Sequence, residues 1–143
     1  QSEVARLQAL AGELGVADRV TFTGTVKQDA LLLYYNAADL TAVASYYESF
    51  CLVILESLAC GTPVVSSDVG IAPLAIRDGV NGSMVCGNEA SGLARGLEKI
   101  LASGPRRTDA IRASALPYSW PIIAGRVAAV YQAALVPAHI LTR

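Results

Sequence analysis

The chain has 143 residues, enough for one domain with a sizeable core. Its 53% hydrophobic and 16% charged content excludes intrinsic disorder, and a net charge of −1 leaves no basic footprint for nucleic acid or an anionic membrane. No apolar run nears the ~20 residues needed to span a bilayer, and no basic-then-apolar leader is present, so a soluble, cytoplasmic protein is expected. Cys51, Cys60 and Cys86 are odd in number and lack C-x-x-C spacing, which predicts reduced thiols, not a disulfide framework.

Val4, Leu7, Leu10, Ala11 and Leu14 fall at i, i+3, i+4 spacing and predict an amphipathic helix, with Ser2 as N-cap and Gly15 just past its end. Arg19-Val20-Thr21-Phe22-Thr23-Gly24 alternates and is rich in β-branched residues, which predicts a strand. Residues 28–37 predict a second helix with Leu31, Leu32, Tyr35 and Ala38 on its inner face. Residues 39–68 then organise the chain. A strand-length apolar run at 40–44 leads through a turn at 45–49 into a segment, 50–60, that is apolar on nearly every side. Gly61-Thr62-Pro63 stops that segment and Val64-Val65 opens another apolar run, so the whole reads as a buried βαβ unit.

Beyond it come a loop through 68–73, a helical turn near Leu74, turn formers at 78–82, a short strand at 83–86 and an amphipathic helix at 90–101. The polar stretch 104–112 reads as a connection or short helix, with Arg106, Arg107 and Arg112 on a solvated face. Trp120 is expected to anchor a last helix, 122–135, whose stripe is Val127, Val130, Tyr131 and Ala134; His139 in the tail is assigned no role. Alternating strands and helices predict an α/β fold, a Rossmann-like parallel sheet flanked by helices, as one domain over residues 1–143. The chain opens on a helix and carries no G-x-G-x-x-G or P-loop, so a fragment cut just after a first strand is expected.

Two carboxylates bracket the central segment, Glu48 and Glu56, eight positions apart. A helix starting near Phe50 would offer unpartnered N–H groups and partial positive charge, an anion site suited to a diphosphate. Glu56 would lie about 9 Å along that helix at ~1.5 Å per residue, placed to accept hydrogen bonds from ribose hydroxyls. Glu48, on the loop before the helix, would face the other side of the diphosphate, where a sugar could lie. A glutamate on so apolar a helix also needs a polar partner, because an unpaired buried carboxylate is costly.

The flanks of this pair, YESFCLVILESLACGTPVV at residues 47–65, resemble the YEgFGLvvLEAmAcGtPVV pattern of retaining glycosyltransferases of the two-domain GT-B fold, which carry an E-x7-E motif (glycosyltransferase group 1, family 4-like). Gly15-Val16-Ala17-Asp18-Arg19-Val20 through Gly24, Tyr35 through Leu40, and Asp78-Gly79-Val80-Asn81-Gly82 are similar to further motifs of that family. The resemblance implies the C-terminal, donor-binding half of such an enzyme, acting without a metal or cofactor on a UDP-, GDP- or ADP-linked sugar. It makes Glu48 the catalytic glutamate that contacts the donor sugar and Glu56 the ribose-binding one. Ser49, Phe50, Cys51 and Leu52 become the donor-binding turn, where backbone amides meet the diphosphate and sugar.

Some positions depart from the family pattern. Cys51 stands where glycine is usual, and Gly70-Ile71-Ala72-Pro73-Leu74 lacks the second glycine and the glutamate of "GGiPE". The family's phosphate-binding arginine and lysine would come from a loop upstream of Gln1. The partners implied are a nucleotide-sugar and a missing N-terminal acceptor domain, without which transfer is not expected, and no nucleic acid. The alternatives are a non-catalytic nucleotide-sugar-binding or assembly module of the same fold, self-associating through its open sheet edge, and an epimerase of related fold, against which the E-x7-E spacing speaks. On the blandest reading, Glu48 is an exposed turn residue and Glu56 a helix residue paired with a base.

Overall fold

The computed structural model describes residues 2–104 and 108–135. Arg106, Arg107 and His139 lie outside the described residues. The chain divides into two units, Gln1–Leu31 and Leu32–Arg143.

The first unit opens with α1 (Glu3–Glu13), where Ser2 Oγ accepts the N–H of Ala5 at 3.3 Å, as its N-cap position predicts. Gly15 follows with φ +68°, the left-handed turn that ends many helices. Of the spaced apolar residues only Ala11 is buried, while Val4, Leu10 and Leu14 are exposed. After a 3-10 turn at Ala17–Arg19 the strand expected over residues 19–24 does not form. Val20 has extended backbone (φ −115°, ψ 123°), yet no ladder pairs with this segment among the described residues. Alternation gives a chain its extended shape; a strand also requires a neighbour for its N–H and C=O groups.

Helix α2 (Gln28–Ala37) begins in the first unit and ends in the second. Its inner face is narrower than the spacing predicts: Tyr35 is buried, but Leu32 is 56% exposed and Ala38 is also exposed. In the second unit β1 (Thr41–Val43), α3 (Leu52–Ala59) and β2 (Val64–Ser67) form the expected βαβ unit. Then come α4 (Ala72–Ala75), β3 (Gly82–Val85), α5 (Ala90–Ala102), α6 (Thr108–Ala115) and α7 (Trp120–Leu135). The three strands run parallel in the order β1-β2-β3, with Val64 opposite Gly82 and Thr41 opposite Val64.

β2 is buried along its whole length, and successive side chains enter different cores. Val64 joins Ile54 and Leu58 of α3, Ile71 and Ile76 on either side of α4, and Ile111 of α6. Val65 joins Val85 and Ile100 of α5. Helices therefore cover both sheet faces, the Rossmann-like arrangement expected. Gly96 lets α5 approach closely, since a β-carbon there would stand 2.8 Å from Val65 Cγ1 and Val85 Cγ1.

Two expectations for the later helices need correction. The 104–112 stretch does not place Arg112 on a merely solvated face. Its guanidinium donates to Ala59 O at 3.1 Å and Cys60 O at 3.4 Å, where the α3 carbonyls lack helical partners. The stripe expected on α7 is uncovered: no residue of that helix is buried, Tyr131 is 67% exposed, and Trp120 is 84% exposed instead of anchoring. Periodicity tells which residues share a side, not whether a neighbour covers it. Among the described residues no helix is long and apolar enough to cross a membrane.

Candidate functional site

The carboxyl ends of the three strands are tied together at one residue. Ser45, two positions past β1, accepts at its main-chain oxygen from Ser67 Oγ at 2.8 Å and from Asn88 Nδ2 at 2.7 Å. Ser67 closes β2 and Asn88 follows β3. The Ser45 hydroxyl in turn donates to Glu48 Oε1 at 2.8 Å. Glu48 is thus half-buried and held at the edge of the sheet where ligands of parallel α/β folds collect. It is not the free, exposed turn residue of the blandest reading.

The chain then turns sharply. Ser49 and Phe50 are exposed, and Cys51 adopts φ 65°, ψ 67°, the only positive φ on a non-glycine among the described residues. Left-handed backbone suits glycine, so the geometry accounts for the family's usual residue here. It also moves the helix start: α3 begins at Leu52, not near Phe50. Phe50 O accepts the N–H of Ile71 at 2.8 Å, so the loop after β2 braces the turn. Gly70 lies against it so closely that a β-carbon would come 2.5 Å from Phe50 O. The Cys51 side chain is buried, and its thiol is pushed above its ordinary pKa first by burial and then by the nearby Glu48 charge. It is an inert, protonated filler, as is Cys60, whose thiol burial also raises; Cys86 is exposed.

No side chain caps the start of α3. The positive end of its dipole therefore lies at the turn with no side-chain partner, an arrangement suited to anions. From there a groove of about 590 Å³ follows one face of the helix, lined on that side by Phe50, Leu52, Leu55, Glu56 and Ala59 and across it by Tyr118 and Trp120. Glu56 is the acidic group in this largely apolar lining, which also includes Arg112 and Ser119, and it is half-buried. Its partner is not a base. Tyr35 Oη donates to Glu56 Oε2 at 2.9 Å, and burial together with that bond pushes the phenol well above its ordinary pKa.

Of the predicted site residues, Phe50, Leu52 and Glu56 share the groove. Cys51 lies behind it, Ser49 precedes the turn, and Glu48 stands at the strand ends outside the groove's lining. A second cavity, about 680 Å³, lies before the amino ends of β1 and β2 among Asp39, Thr62, Pro63 and Arg112; it shares Arg112 with the groove and holds none of the predicted site residues. Tyr35 is the member that sequence reasoning missed. A tyrosine on the inner face of a helix reads as packing, and only its need for a partner when buried hints at more.

A parallel sheet covered on both faces, with an uncapped helix after its first strand, defines a Rossmann-like α/β domain, the kind found in GT-B glycosyltransferases such as the solved relatives below. Residues 1–116 match the family described as glycosyl transferases group 1. The chain belongs to that family. It is 50% identical over 99 residues to the D-inositol 3-phosphate glycosyltransferase of Mycobacterium sp. (strain KMS), covering 69% of this chain and 23% of that protein. Sucrose-phosphate synthase from Thermosynechococcus elongatus superposes with a TM-score of 0.79 at 34% identity, over 90% of this chain and 33% of that one. Anabaena HepE in complex with UDP and glucose gives 0.68 at 26% identity, over 91% and 36%. The chain therefore spans about a quarter to a third of the length of these relatives.

Proposed function

We propose that this chain is the donor-binding part of a retaining glycosyltransferase that moves a sugar from a nucleotide-sugar to an acceptor. The observation that carries the reading is the placement of Glu48 and Glu56 before and after the Cys51 turn, with the uncapped start of α3 between them. In this reading the first-turn amides of α3 hold the diphosphate, with Phe50, Cys51 and Leu52 supplying main chain. Glu56 accepts from the ribose hydroxyls in the groove. Glu48, oriented by Ser45, accepts from hydroxyls of the transferred sugar and stabilises positive charge that develops at its anomeric carbon. The chemistry uses no metal, and transfer needs an acceptor-binding domain, so the 143-residue chain binds donor without turning it over. The UDP and glucose held by the HepE relative support a nucleotide-sugar as the ligand.

Calorimetry of the chain with UDP, GDP and ADP tests this. Binding of at least one, weakened tenfold or more in Glu56→Ala, is the expected result (roughly 1.4 kcal/mol). No binding by any of the three, with Glu56→Ala indistinguishable, removes the assignment. The buried Cys51 in a glycine's place favours a second reading, a non-catalytic assembly module joined through β1 or β3, the edge strands among the described residues. Sedimentation separates the two: a nucleotide-insensitive dimer supports the module, and a nucleotide-binding monomer speaks against it.

A further inference from the structure

The carboxylate of Glu56 is not free to rotate into the groove. Tyr35, on α2 and 21 residues upstream, takes one of its two oxygens at 2.9 Å. The tyrosine is itself fixed: its side chain is buried, and its own carbonyl accepts the hydroxyl of buried Thr62 at 2.6 Å. Thr62 in turn lies three residues past α3, and its carbonyl accepts from Ser57 Oγ of that helix at 3.0 Å. Tyr35 and Glu56 are therefore referenced to the same helix from two sides. Tyr35 is not among the residues lining the groove; Glu56 is.

We propose that Tyr35 is a positioning residue for the nucleotide: by holding Oε2 it presents Oε1 to the ribose, so that the Tyr35–Glu56 pair distinguishes ribose from deoxyribose. The proposal rests on the reading of Glu56 given above. One carboxylate oxygen has two lone-pair sites and can accept from both ribose hydroxyls. A tyrosine is well suited to the task, because it donates without cancelling the charge that strengthens those bonds. An arginine or lysine in its place would cancel it. With the donor removed, Oε2 loses its partner and the side chain regains rotamers in which neither oxygen faces the ligand. The ligand class is thus a ribonucleoside diphosphate, whatever its base.

The test is calorimetric titration of the 143-residue chain with UDP, GDP and ADP, each against its 2′-deoxy form. A site built to bind a hydroxyl rejects the analogue lacking it, so the wild type is expected to prefer at least one ribonucleotide by about tenfold or more. Tyr35→Phe keeps the ring, and its folding is checked by thermal unfolding. It should reduce that preference to less than about threefold by weakening the ribonucleotide more than the deoxy form, which has only its 3′-hydroxyl to lose from Oε1. A Tyr35→Phe protein that keeps the full preference, or weakens both forms equally, overturns the proposal and leaves the role of Glu56 standing. A wild type without preference, or without binding, overturns the role of Glu56 and the proposal with it. If Tyr35→Phe does not fold, Glu56→Gln decides. Tyr35 then claims the one amide oxygen and turns the NH2 toward the ribose, where it can only donate, without charge, to a hydroxyl oxygen, so the preference should fall below about threefold; a Glu56→Gln protein that keeps the full preference overturns the proposal.

Discussion

Gly70 and Phe50 are in backbone contact: a β-carbon on Gly70 would stand 2.5 Å from the Phe50 carbonyl oxygen, which accepts the N–H of Ile71 at 2.8 Å. The loop after β2 thus supports the turn that launches α3. Gly70→Ala should destabilise the chain by at least about 2 kcal/mol, from the left-handed φ of +51° and from displacement of Phe50. It should also weaken nucleotide binding, because the α3 amides move with the turn. Thermal unfolding and calorimetry read the two effects. A Gly70→Ala protein with wild-type stability would mean that this contact is not made.

Cys51 offers an inverted glycine test. In most helical or extended positions glycine is less stable than alanine by roughly 0.5–1 kcal/mol. At φ 65° the order should reverse, with Cys51→Gly more stable than Cys51→Ala by about 1 kcal/mol. Both lose the buried thiol, so the comparison isolates the backbone. Urea unfolding of the pair checks it, and alanine proving the more stable would rule out the left-handed turn.

Asn81 is fully buried with three polar contacts: it donates to Ala75 O at 2.9 Å and Ser114 Oγ at 2.8 Å and accepts from Arg77 N at 2.7 Å. Asn81→Ala strips all three and leaves partners unsatisfied, at about 1–3 kcal/mol for each buried group that stays unpaired. A total loss of roughly 3 kcal/mol is expected, measured as a lower urea midpoint with an unchanged slope. A loss under about 1 kcal/mol would contradict this network.

Alkaline pH should destabilise the fold. The thiols of Cys51 and Cys60 and the phenol of Tyr35 are all raised above ordinary values of 9.0 and 10.0. The unfolded chain therefore releases these protons first and binds fewer than the folded one. Stability is fully present below pH ~9 and falls as pH rises through the range between unfolded and folded pKa values. Cys51→Ala/Cys60→Ala should flatten the decline just above pH 9, which unfolding midpoints across pH 7–11 would reveal. An undiminished slope would assign it to other groups.

The βαβ unit was readable because each of its signals is local: apolar runs of strand length, a long apolar segment, a Gly-Thr-Pro stop. The stretch at Arg19-Val20-Thr21-Phe22-Thr23-Gly24 carried equally good local signals and forms no strand, since pairing depends on a neighbour that alternation cannot supply. The α3 boundary moved two residues because Cys51 is left-handed, a conformation that a cysteine does not advertise. Val127 and Tyr131 share a side of α7 as their spacing says, but spacing is silent on what covers that side. Glu56 was visible as a charge out of place on an apolar helix. Its partner was not, because Tyr35 reaches it from a helix 21 residues away and looks like core.

The oxygen of Ser45 receives hydrogens from side chains rooted at the tips of the other two strands, while its own hydroxyl steers Glu48. The forward glutamate consequently inherits its aim from Ser67 and Asn88, which belong to no motif containing it. Two transferases could spell the same central letters and still point that acid differently, if the residues at these two tips differ. Grafting the motif into another scaffold would then import the acid without its bearing.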